Sequence, residues 1–293
     1  MWAVLAVLSA VLLGFYDVAK KQALRKNGIL FVLLAATAIS TVLLAPFLRF
    51  GPTADHLRLA FKAVLVTVSW VSGMAGLKLL PLTTVSTIKG SRPVFVILFS
   101  MLLFGERLGL MQWSGVLMVF AALYLLGRAG SGEGTRQARA AGYLWMGVSV
   151  LAGVASALYD KHIMTGMQPL FVQSWTNLYI TLILGLMVLF RRFRGRSARP
   201  GAGDAESGEQ ASVFRPDWWL LVAAVLITAA DALYFYALKQ PGAMIGLVSV
   251  LRRASVVVTF LCGVLVFRER HVRGKAVSML LVVAGVALIL IGT

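Results

Sequence analysis

Four cationic side chains lie inside long apolar stretches of this sequence, where a charge is costly. They are Lys89, Arg92, Arg252 and Arg253. A charged side chain at the centre of a membrane helix costs about 2.5–3.5 kcal/mol even on a lenient insertion scale, so it persists only with compensation. A planar guanidinium can hold a carboxylate or phosphate through two parallel hydrogen bonds, whereas a lysine ammonium acts as a point charge. These residue types therefore predict a site for a small anion.

The spacing of the cations places them on two helix faces. Lys89 and Arg92 are three residues apart and share one face. Arg252 and Arg253 share a second face with a serine one turn earlier. The two faces are expected to converge on one cavity from opposite sides. The predicted substrate-binding residues are Ser86, Lys89, Arg92, Ser249, Arg252 and Arg253, with Trp70 and Tyr234 as aromatic lining residues that carry a polar atom.

Three acids, Asp17, Asp160 and Asp231, stand in or at the edge of the same apolar stretches. Asp231 lies well inside its stretch, and its counterpart in the other half of the chain is Trp70, which argues against a purely architectural role. We expect Asp231 to act in coupling or gating, with a fixed Asp–Arg pair as the alternative. Asp17 and Asp160 are coupling candidates too, but each lies near a stretch end, Asp160 beside Lys161, so snorkelling to the interface is a competing explanation. Four cations against three acids leave one positive charge for an anionic ligand to balance.

The amino-acid composition indicates that these apolar stretches lie in a lipid bilayer. Of 293 residues, 59% are hydrophobic and only 13% are charged, against roughly 45–50% and about 25% in soluble domains. The formal net charge of +17 comes mostly from short connections between apolar runs, where cations orient membrane spans or meet anionic lipid, so nucleic-acid binding is not expected. The single cysteine, Cys262, lies in an apolar run, which excludes disulfides and cysteine metal clusters.

About 20 apolar residues are needed to span a bilayer, and this length predicts an all-α integral membrane protein with ten transmembrane helices. The spans are predicted at Trp2–Gln22, Ile29–Leu48, Leu57–Leu80, Leu82–Phe104, Leu110–Gly127, Ala141–Met164, Leu170–Phe190, Trp218–Leu238, Ala243–Phe267 and Lys275–Ile291.

The two halves of the chain repeat one another. Val85–Arg107 aligns with Val248–Arg270 without a gap, and this alignment places Lys89 on Arg252. The ends of the first and sixth spans, and of the third and eighth, also match in sequence. Each half therefore holds five spans, and an odd number inverts the second copy in the membrane. Inverted repeats of this kind are typical of secondary transporters, whose substrate site lies where the repeats meet.

The repeats are predicted at residues 1–128 and 142–293, joined by a linker at 129–141, with a polar loop at 191–216 inside the second repeat. Basic residues concentrate on one face of the membrane, which we call the cation-rich face. The positive-inside rule makes this face cytoplasmic and puts both termini outside. Its basic residues include Lys20, Lys21, Arg128, Arg191, Arg192, Arg194, Arg268, Arg270, Arg273 and Lys275.

Gly105-Glu106-Arg107 closes the fourth span and Arg268-Glu269-Arg270 closes the ninth. With ten spans in two halves, and Trp113-Ser114-Gly115 in the following helix, the chain resembles the EamA-type branch of the drug/metabolite transporter superfamily. The resemblance implies a secondary transporter or exporter of small metabolites with a central cavity lined by both halves. Arg252-Arg253 is also similar to the adjacent basic residues that engage phosphate in the ninth span of sugar-phosphate exchangers.

The sequence thus predicts a secondary transporter in the plasma (inner) membrane for a small polar anion such as a carboxylate, amino acid or organophosphate. A flippase for an anionic lipid carrier and an exporter of cationic or neutral metabolites or drugs are the alternatives. An enzyme is not expected, because no acid or histidine cluster has metal-ligand spacing. No cofactor is expected either. The expected partners are the substrate and the lipid bilayer, and the chain is expected to be a monomer, with a homodimer as the alternative.

Overall fold

The computed structural model describes residues 1–24, 27–80, 88–89, 91–128, 136–197, 217–267 and 272–292. These residues form helices joined by short connections. The helices are α1 (Trp2–Ala23), α2 (Ile29–Leu43), α3 (Thr53–Leu79), α4 (Arg92–Phe104), α5 (Leu110–Arg128), α6 (Arg136–Met164), α7 (Pro169–Ser197), α8 (Trp218–Lys239), α9 (Ile245–Leu251), α10 (Ser255–Phe267) and α11 (Val272–Ile291).

The helices match the predicted spans in order. Within the described residues, α1, α3, α6, α7 and α8 are long and apolar enough to cross a membrane by length and composition. The shorter apolar helices α2, α4, α5 and α11 occupy the positions of predicted spans two, four, five and ten. Residues 129–135 of the predicted linker 129–141 lie outside the described residues. Helix α6 begins at Arg136, within the range predicted for the linker. Of the predicted polar loop, residues 198–216 lie outside the described part, and α7 continues to Ser197.

The ninth predicted span, Ala243–Phe267, is interrupted by a turn that the sequence did not predict. Helix α9 ends at Leu251, Arg252–Ala254 form a 3₁₀ turn, and α10 begins at Ser255. A 3₁₀ turn has three residues per turn instead of 3.6 and weaker hydrogen bonds, so inside a longer helix it marks a hinge or strain. The two neighbouring arginines therefore lie on the interruption of the span rather than on a regular helical face.

Packing between the helices follows the inverted repeat. Helix α3 of the first repeat packs along α6, and its counterpart α8 packs along α1. Likewise, the contact of α3 with α7 corresponds to the contact of α8 with α2. The contact of α4 with α6 corresponds to the contact of α10 with α1. The pairs α2–α7, α4–α9 and α5–α11 join equivalent elements to each other. A two-fold pseudo-symmetry axis between the halves produces this pattern, and the surfaces near it are formed by both repeats.

Two glycines allow α5 and α11 to cross closely. A Cβ atom placed on Gly115 would lie 2.4 Å from the carbonyl oxygen of Gly285, and one placed on Gly285 would lie 2.7 Å from the carbonyl oxygen of Gly115. In a bilayer, close packing replaces the hydrophobic effect as the main attraction between helices, so small residues at a crossing strengthen it.

The turn after α4 connects the two repeats. Gly105 ends α4 with φ 64°, in the left-handed region that glycine adopts without strain. The next residue, Glu106, is nearly buried. Its carboxylate accepts the backbone N–H of Ile245 at 2.7 Å and of Gly246 at 3.2 Å. Glu106 from the first repeat thus supplies acceptors to the N–H groups at the start of α9 in the second, which have no partner inside the helix.

The α5–α11 crossing leads to a first prediction. Gly115→Ala should lower the thermal stability of the purified protein, because the added methyl group forces two backbones apart, an overpacking effect of about 1–3 kcal/mol. Gly147→Ala, in the middle of α6, is the matched control because nothing lies within 4 Å of its added Cβ. It should leave stability unchanged or raise it through helix propensity. Equal melting temperatures for the two variants would contradict the close crossing.

Candidate functional site: a cationic cavity between the repeats

A central cavity lies between the two repeats and consists of three chambers that share Arg92 and Arg252. The Lys89 chamber is further lined by Tyr16, Lys20, Trp70, Gly73, Lys89, Ser149, Asp231 and Arg253. The Asp17 chamber is further lined by Leu13, Asp17, Ala157, Tyr234, Ser249, Arg253 and Ser255. The Gln173 chamber is further lined by Lys62, Val66, Trp70, Ser156, Asp160, Gln173, Thr176, Asn177, Asp231 and Tyr234.

The structure brings all four cations singled out from the sequence to the Lys89 chamber. Lys89 and Arg92 come from the first repeat, and Arg252 and Arg253 come from the 3₁₀ turn in the second. Arg253 Nη2 donates to the carbonyl oxygen of Lys89 at 3.2 Å, which ties the two repeats together. The chamber has a volume of about 490 Å³, within the range of small-molecule sites.

Two glycines provide the space that these cations occupy. A Cβ on Gly73 of α3 would lie 3.0 Å from Lys89 Nζ, and a Cβ on Gly153 of α6 would lie 2.7 Å from Arg92 Cζ. Arg92 Nη2 also donates to the carbonyl oxygen of Gly153. Larger residues at either position would push the cation out of its place, so helix packing determines where the positive charges lie.

Arg252 is held by two different contacts. Its Nη2 donates to Asp231 Oδ1 at 2.6 Å, forming an ion pair between the 3₁₀ turn and α8. Its guanidinium carbon lies 4.3 Å from the centre of the Tyr234 ring, a cation–π distance. The side chains of Arg252 and Asp231 remain 20% and 31% exposed, respectively. The pair is therefore reachable from the cavity, and the fixed Asp–Arg partnership considered from the sequence is present in this structure.

Asp160 belongs to a buried network rather than to the membrane interface. Its Oδ2 accepts the Tyr234 hydroxyl at 3.1 Å, and its Oδ1 lies 2.8 Å from Lys62 Nζ, a charge contact without hydrogen-bond alignment. The expected neighbour Lys161 instead donates to the carbonyl oxygen of Ala243. The suggestion that Asp160 snorkels beside Lys161 was wrong, because α6 turns the carboxylate inwards towards α3.

Sequence reasoning missed Lys62 as a member of this network. Its side chain is buried, and its Nζ lies 4.2 Å from the centre of the Phe235 ring as well as close to Asp160. A signal was available, because Lys62 stands inside the predicted span Leu57–Leu80 rather than in a loop. A lysine at that depth requires an acid or a water-filled cavity.

The remaining candidates are placed as follows. Asp17 is exposed and lines its chamber together with Arg92 and Arg253. Ser249 lines the same chamber, Trp70 lines the other two, and Tyr234 lines the Asp17 and Gln173 chambers. Ser86 lies outside the described residues.

The cavity carries an excess of positive charge. Its described lining contains the cations Lys20, Lys62, Lys89, Arg92, Arg252 and Arg253 against the carboxylates Asp17, Asp160 and Asp231, an excess of three positive charges. Two of the carboxylates are taken by Lys62 and Arg252. Among the described residues, no carboxylate lies within 4.0 Å of the other four cations. The sequence count gave an excess of only one because it omitted Lys20 and Lys62.

The cavity extends towards the cation-rich face, since the Lys89 chamber reaches Lys20 and Leu24 at the end of α1. Several contacts join the helices to one another at the opposite face. Lys239 Nζ donates to the carbonyl oxygens of Met164 and Met167, both at 3.0 Å. His56 Nδ1 lies 3.0 Å from the Tyr179 hydroxyl, and its ring packs edge-on against Trp175 at 4.3 Å.

A profile of the EamA-like transporter family matches residues 1–128 and 140–291, one match for each half of the chain. The chain belongs to the EamA-like transporter family. One solved structure, described only as the crystal structure of a protein, matches this EamA-like transporter with a TM-score of 0.73 and 17% identity, covering 98% of this chain and 94% of the other. No curated protein sequence matches the chain.

Family membership confirms the predicted all-α membrane fold of two inverted five-helix repeats and makes this EamA-like transporter a multi-pass membrane protein. At 17% identity, the solved structure supports the fold and nothing finer. The roles of the cavity residues stay predictions.

The buried Lys62–Asp160 pair leads to a second prediction. Lys62→Met alone should destabilise the protein by about 3–5 kcal/mol, because it leaves the buried Asp160 carboxylate without a counter-charge. The double variant Lys62→Met/Asp160→Leu should recover part of this loss. Thermal unfolding of the purified variants measures both effects.

A second ion pair, between two residues of α3, provides the control. Arg58 Nη1 lies 3.2 Å from Asp55 Oδ1, but the two side chains are 57% and 24% exposed. Arg58→Gln should therefore change stability by no more than about 1 kcal/mol. If Lys62→Met proves as harmless as Arg58→Gln, the Lys62–Asp160 pair does not stabilise this fold.

Proposed function

We propose that this protein is a secondary transporter that moves a small, polar, anionic metabolite across the plasma (inner) membrane by alternating access. The observation that carries the proposal is the excess of cations over carboxylates in the cavity where the two repeats meet. Membership of a transporter family supports transport, and the charge of the substrate is inferred from the cavity alone.

The positions of the cations favour an anion over a cation or a neutral ligand. Lys89, Arg92 and Arg253 come from both repeats and face one chamber without a carboxylate within 4.0 Å among the described residues. Two guanidinium groups and an ammonium around a small volume repel each other unless a negative charge lies between them. A carboxylate or phosphate group would supply that charge and accept charge-assisted hydrogen bonds.

The Arg252–Asp231 pair suggests how binding is coupled to another event. Asp231 Oδ1 holds Nη2 of the guanidinium that a substrate carboxylate or phosphate would use, and both side chains are reachable from the cavity. A substrate anion would compete with Asp231 for Arg252. The displaced carboxylate would then lose its nearest positive partner. Anion binding would thus be coupled to release of Asp231 from Arg252.

The closed face and the inverted repeat support alternating access. The cavity extends towards the cation-rich face, which the positive-inside rule makes cytoplasmic, while Lys239, Lys161 and the His56 cluster hold the other face together. Exchange of conformation between two inverted repeats would close the first face and open the second. The interruption at Arg252–Ala254 is a suitable hinge because it already departs from α-helical geometry.

Arg252 provides the third prediction. Arg252→Gln should abolish binding of carboxylates and phosphates while costing little stability, since the Arg252–Asp231 pair is partly exposed. Arg252→Lys should also lose most of the affinity, because an ammonium cannot form the two parallel hydrogen bonds. A contact of this kind is worth roughly 1.5–3 kcal/mol, or about ten- to more than a hundredfold in affinity.

The measurement is ligand-dependent thermal stabilisation of purified protein against a panel of carboxylates, amino acids, organic phosphates and organic cations. Arg58→Gln, at an exposed arginine that lines none of the three chambers, is the matched control and should behave like the parent. Binding of anions that survives in Arg252→Gln would overturn the proposal. A panel in which only organic cations or neutral compounds stabilise the parent would favour an exporter of such compounds, and selective stabilisation by anionic lipids would favour a flippase.

Asp231 provides the fourth prediction. Asp231→Asn should insert and purify normally but transport the anion more slowly in proteoliposomes, because the carboxylate that exchanges with the substrate at Arg252 is gone. Its affinity for the anion should not fall, since the competing carboxylate has been removed. Aggregation of Asp231→Asn, or an unchanged transport rate, would indicate that the Arg252–Asp231 pair only holds the fold.

A further inference from the structure

Two uncharged polar groups buried at the Gln173 chamber have no hydrogen-bond partner among the described residues. Gln173 is 1% exposed and Thr176 is 3% exposed, and both lie on α7 and line the chamber. Neither Gln173 Oε1 nor Thr176 Oγ1 has a hydrogen-bond partner in the part of the chain described. Buried polar atoms are almost always paired, so each exception requires an explanation.

The orientation of the Gln173 amide is determined by its surroundings. Its Nε2 donates to the carbonyl oxygen of Thr228 on α8 at 2.7 Å. Because a carbonyl oxygen can only accept, the amide nitrogen must point there, and the amide oxygen is the atom left over. Gln173 thus presents a fixed acceptor, with its carbon chain packed between α7 and α8.

Thr176 differs from other threonines in these helices. A helical threonine usually donates its hydroxyl to the carbonyl oxygen one turn earlier. In this protein Thr67, Thr181 and Thr228 do so, at 2.8, 2.8 and 2.6 Å. Thr176 makes no such bond, and its hydroxyl is free both to donate and to accept.

The charges around the chamber restrict what these groups bind. Its two carboxylates are already engaged, Asp160 with Lys62 and Asp231 with Arg252. A substrate ammonium could therefore meet only Asp231, and only after a substrate anion has displaced that carboxylate from Arg252, since Asp160 stays with Lys62. An acceptor next to a group that both donates and accepts complements a hydroxyl, which itself donates and accepts.

We infer that Gln173 and Thr176 form a subsite for a hydroxyl group of the substrate, which is then a hydroxylated organic anion such as a hydroxy acid or a polyol phosphate. The inference rests on the proposed anion site. Arg92 and Arg252 line the Gln173 chamber as well as the other two. One small molecule can therefore place its anionic group against the arginines and a hydroxyl against Gln173 and Thr176. Arg252 Nε is a further buried donor without a partner among the described residues.

The test uses carboxylates that differ in one group and phosphates that differ in two hydroxyl groups. Propionate, lactate and alanine share a carboxylate and a three-carbon chain, but they carry a hydrogen, a hydroxyl and an ammonium, respectively, at the second carbon. Propyl phosphate and glycerol 3-phosphate form the corresponding phosphate pair. Thermal-shift titrations of the full-length protein at constant ionic strength give relative affinities. The hydroxylated member of whichever pair binds should be favoured about three- to tenfold, the value of one or two neutral hydrogen bonds.

Thr176→Val removes the hydroxyl and keeps the shape of the side chain. The preference for lactate over propionate, or for glycerol 3-phosphate over propyl phosphate, should fall to about one, while the affinity for propionate and propyl phosphate stays unchanged. Thr176→Ser should keep the preference. Thr181→Val, on the same helix but with a hydroxyl that is already bonded to Asn177, should behave like the parent.

The outcomes separate the two proposals. If anions bind and Arg252→Gln abolishes binding, but hydroxylated and deoxygenated ligands bind equally, the hydroxyl subsite is wrong and the anion site stands. The same holds if the preference persists in Thr176→Val, or if alanine binds more tightly than lactate. If no anion binds at all, both proposals fall. Should Thr176→Val not fold, loss of the preference in Gln173→Met together with its retention in Thr176→Ser would support the subsite, and any other pattern would overturn it.

Discussion

The interaction on which the rest of the structure depends is the compensation of charge in the interior of a membrane protein. Six cations and three carboxylates face one cavity, and each would be costly in hydrocarbon. The fold deals with them in two ways. Lys62 and Asp160 are buried against each other, whereas Lys89, Arg92 and Arg253 face a chamber wide enough for a ligand. The first arrangement pairs opposite charges, and the second leaves positive charge facing the chamber.

Tyr234 connects the two ion pairs of the cavity. Its hydroxyl donates to Asp160 in the buried pair, and its ring lies under the guanidinium of Arg252 in the accessible pair. Asp160 in turn meets Lys62 of the first repeat. One side chain thus links Arg252 to a contact between the two repeats.

The packing of the backbone, as well as the pairing of charges, determines where the cations lie. Gly73 and Gly153 leave the space that Lys89 and Arg92 fill, and a methyl group at either position would displace a cation. Glu106 accepts N–H groups at the start of α9, the helix that ends at Leu251 just before Arg252. The glutamate that suggested a family resemblance in the sequence thus has a definite structural role, as a tie between the repeats.

The sequence by itself determined the membrane fold, the order of the spans, the inverted repeat and the presence of four cations inside the apolar stretches. These properties follow from hydrophobicity and spacing along the chain, which are local or periodic and need no knowledge of neighbours. Lys89 and Arg252 were predicted to approach from opposite repeats, and the structure places both in one chamber, because an inverted repeat brings equivalent positions to the same axis.

Only the tertiary structure decided which charges pair and which polar groups stay free. Asp160 could have met Lys161, its neighbour in sequence, but the rotation of α6 turned it to Lys62 on α3 instead. The interruption of the ninth span at Arg252, and the unpartnered atoms of Gln173 and Thr176, likewise depend on how α7, α8 and α9 are rotated against each other. A rotation of one helix by a single residue position, about 100°, moves a side chain from a cavity to the lipid, and the sequence of one helix does not contain that angle.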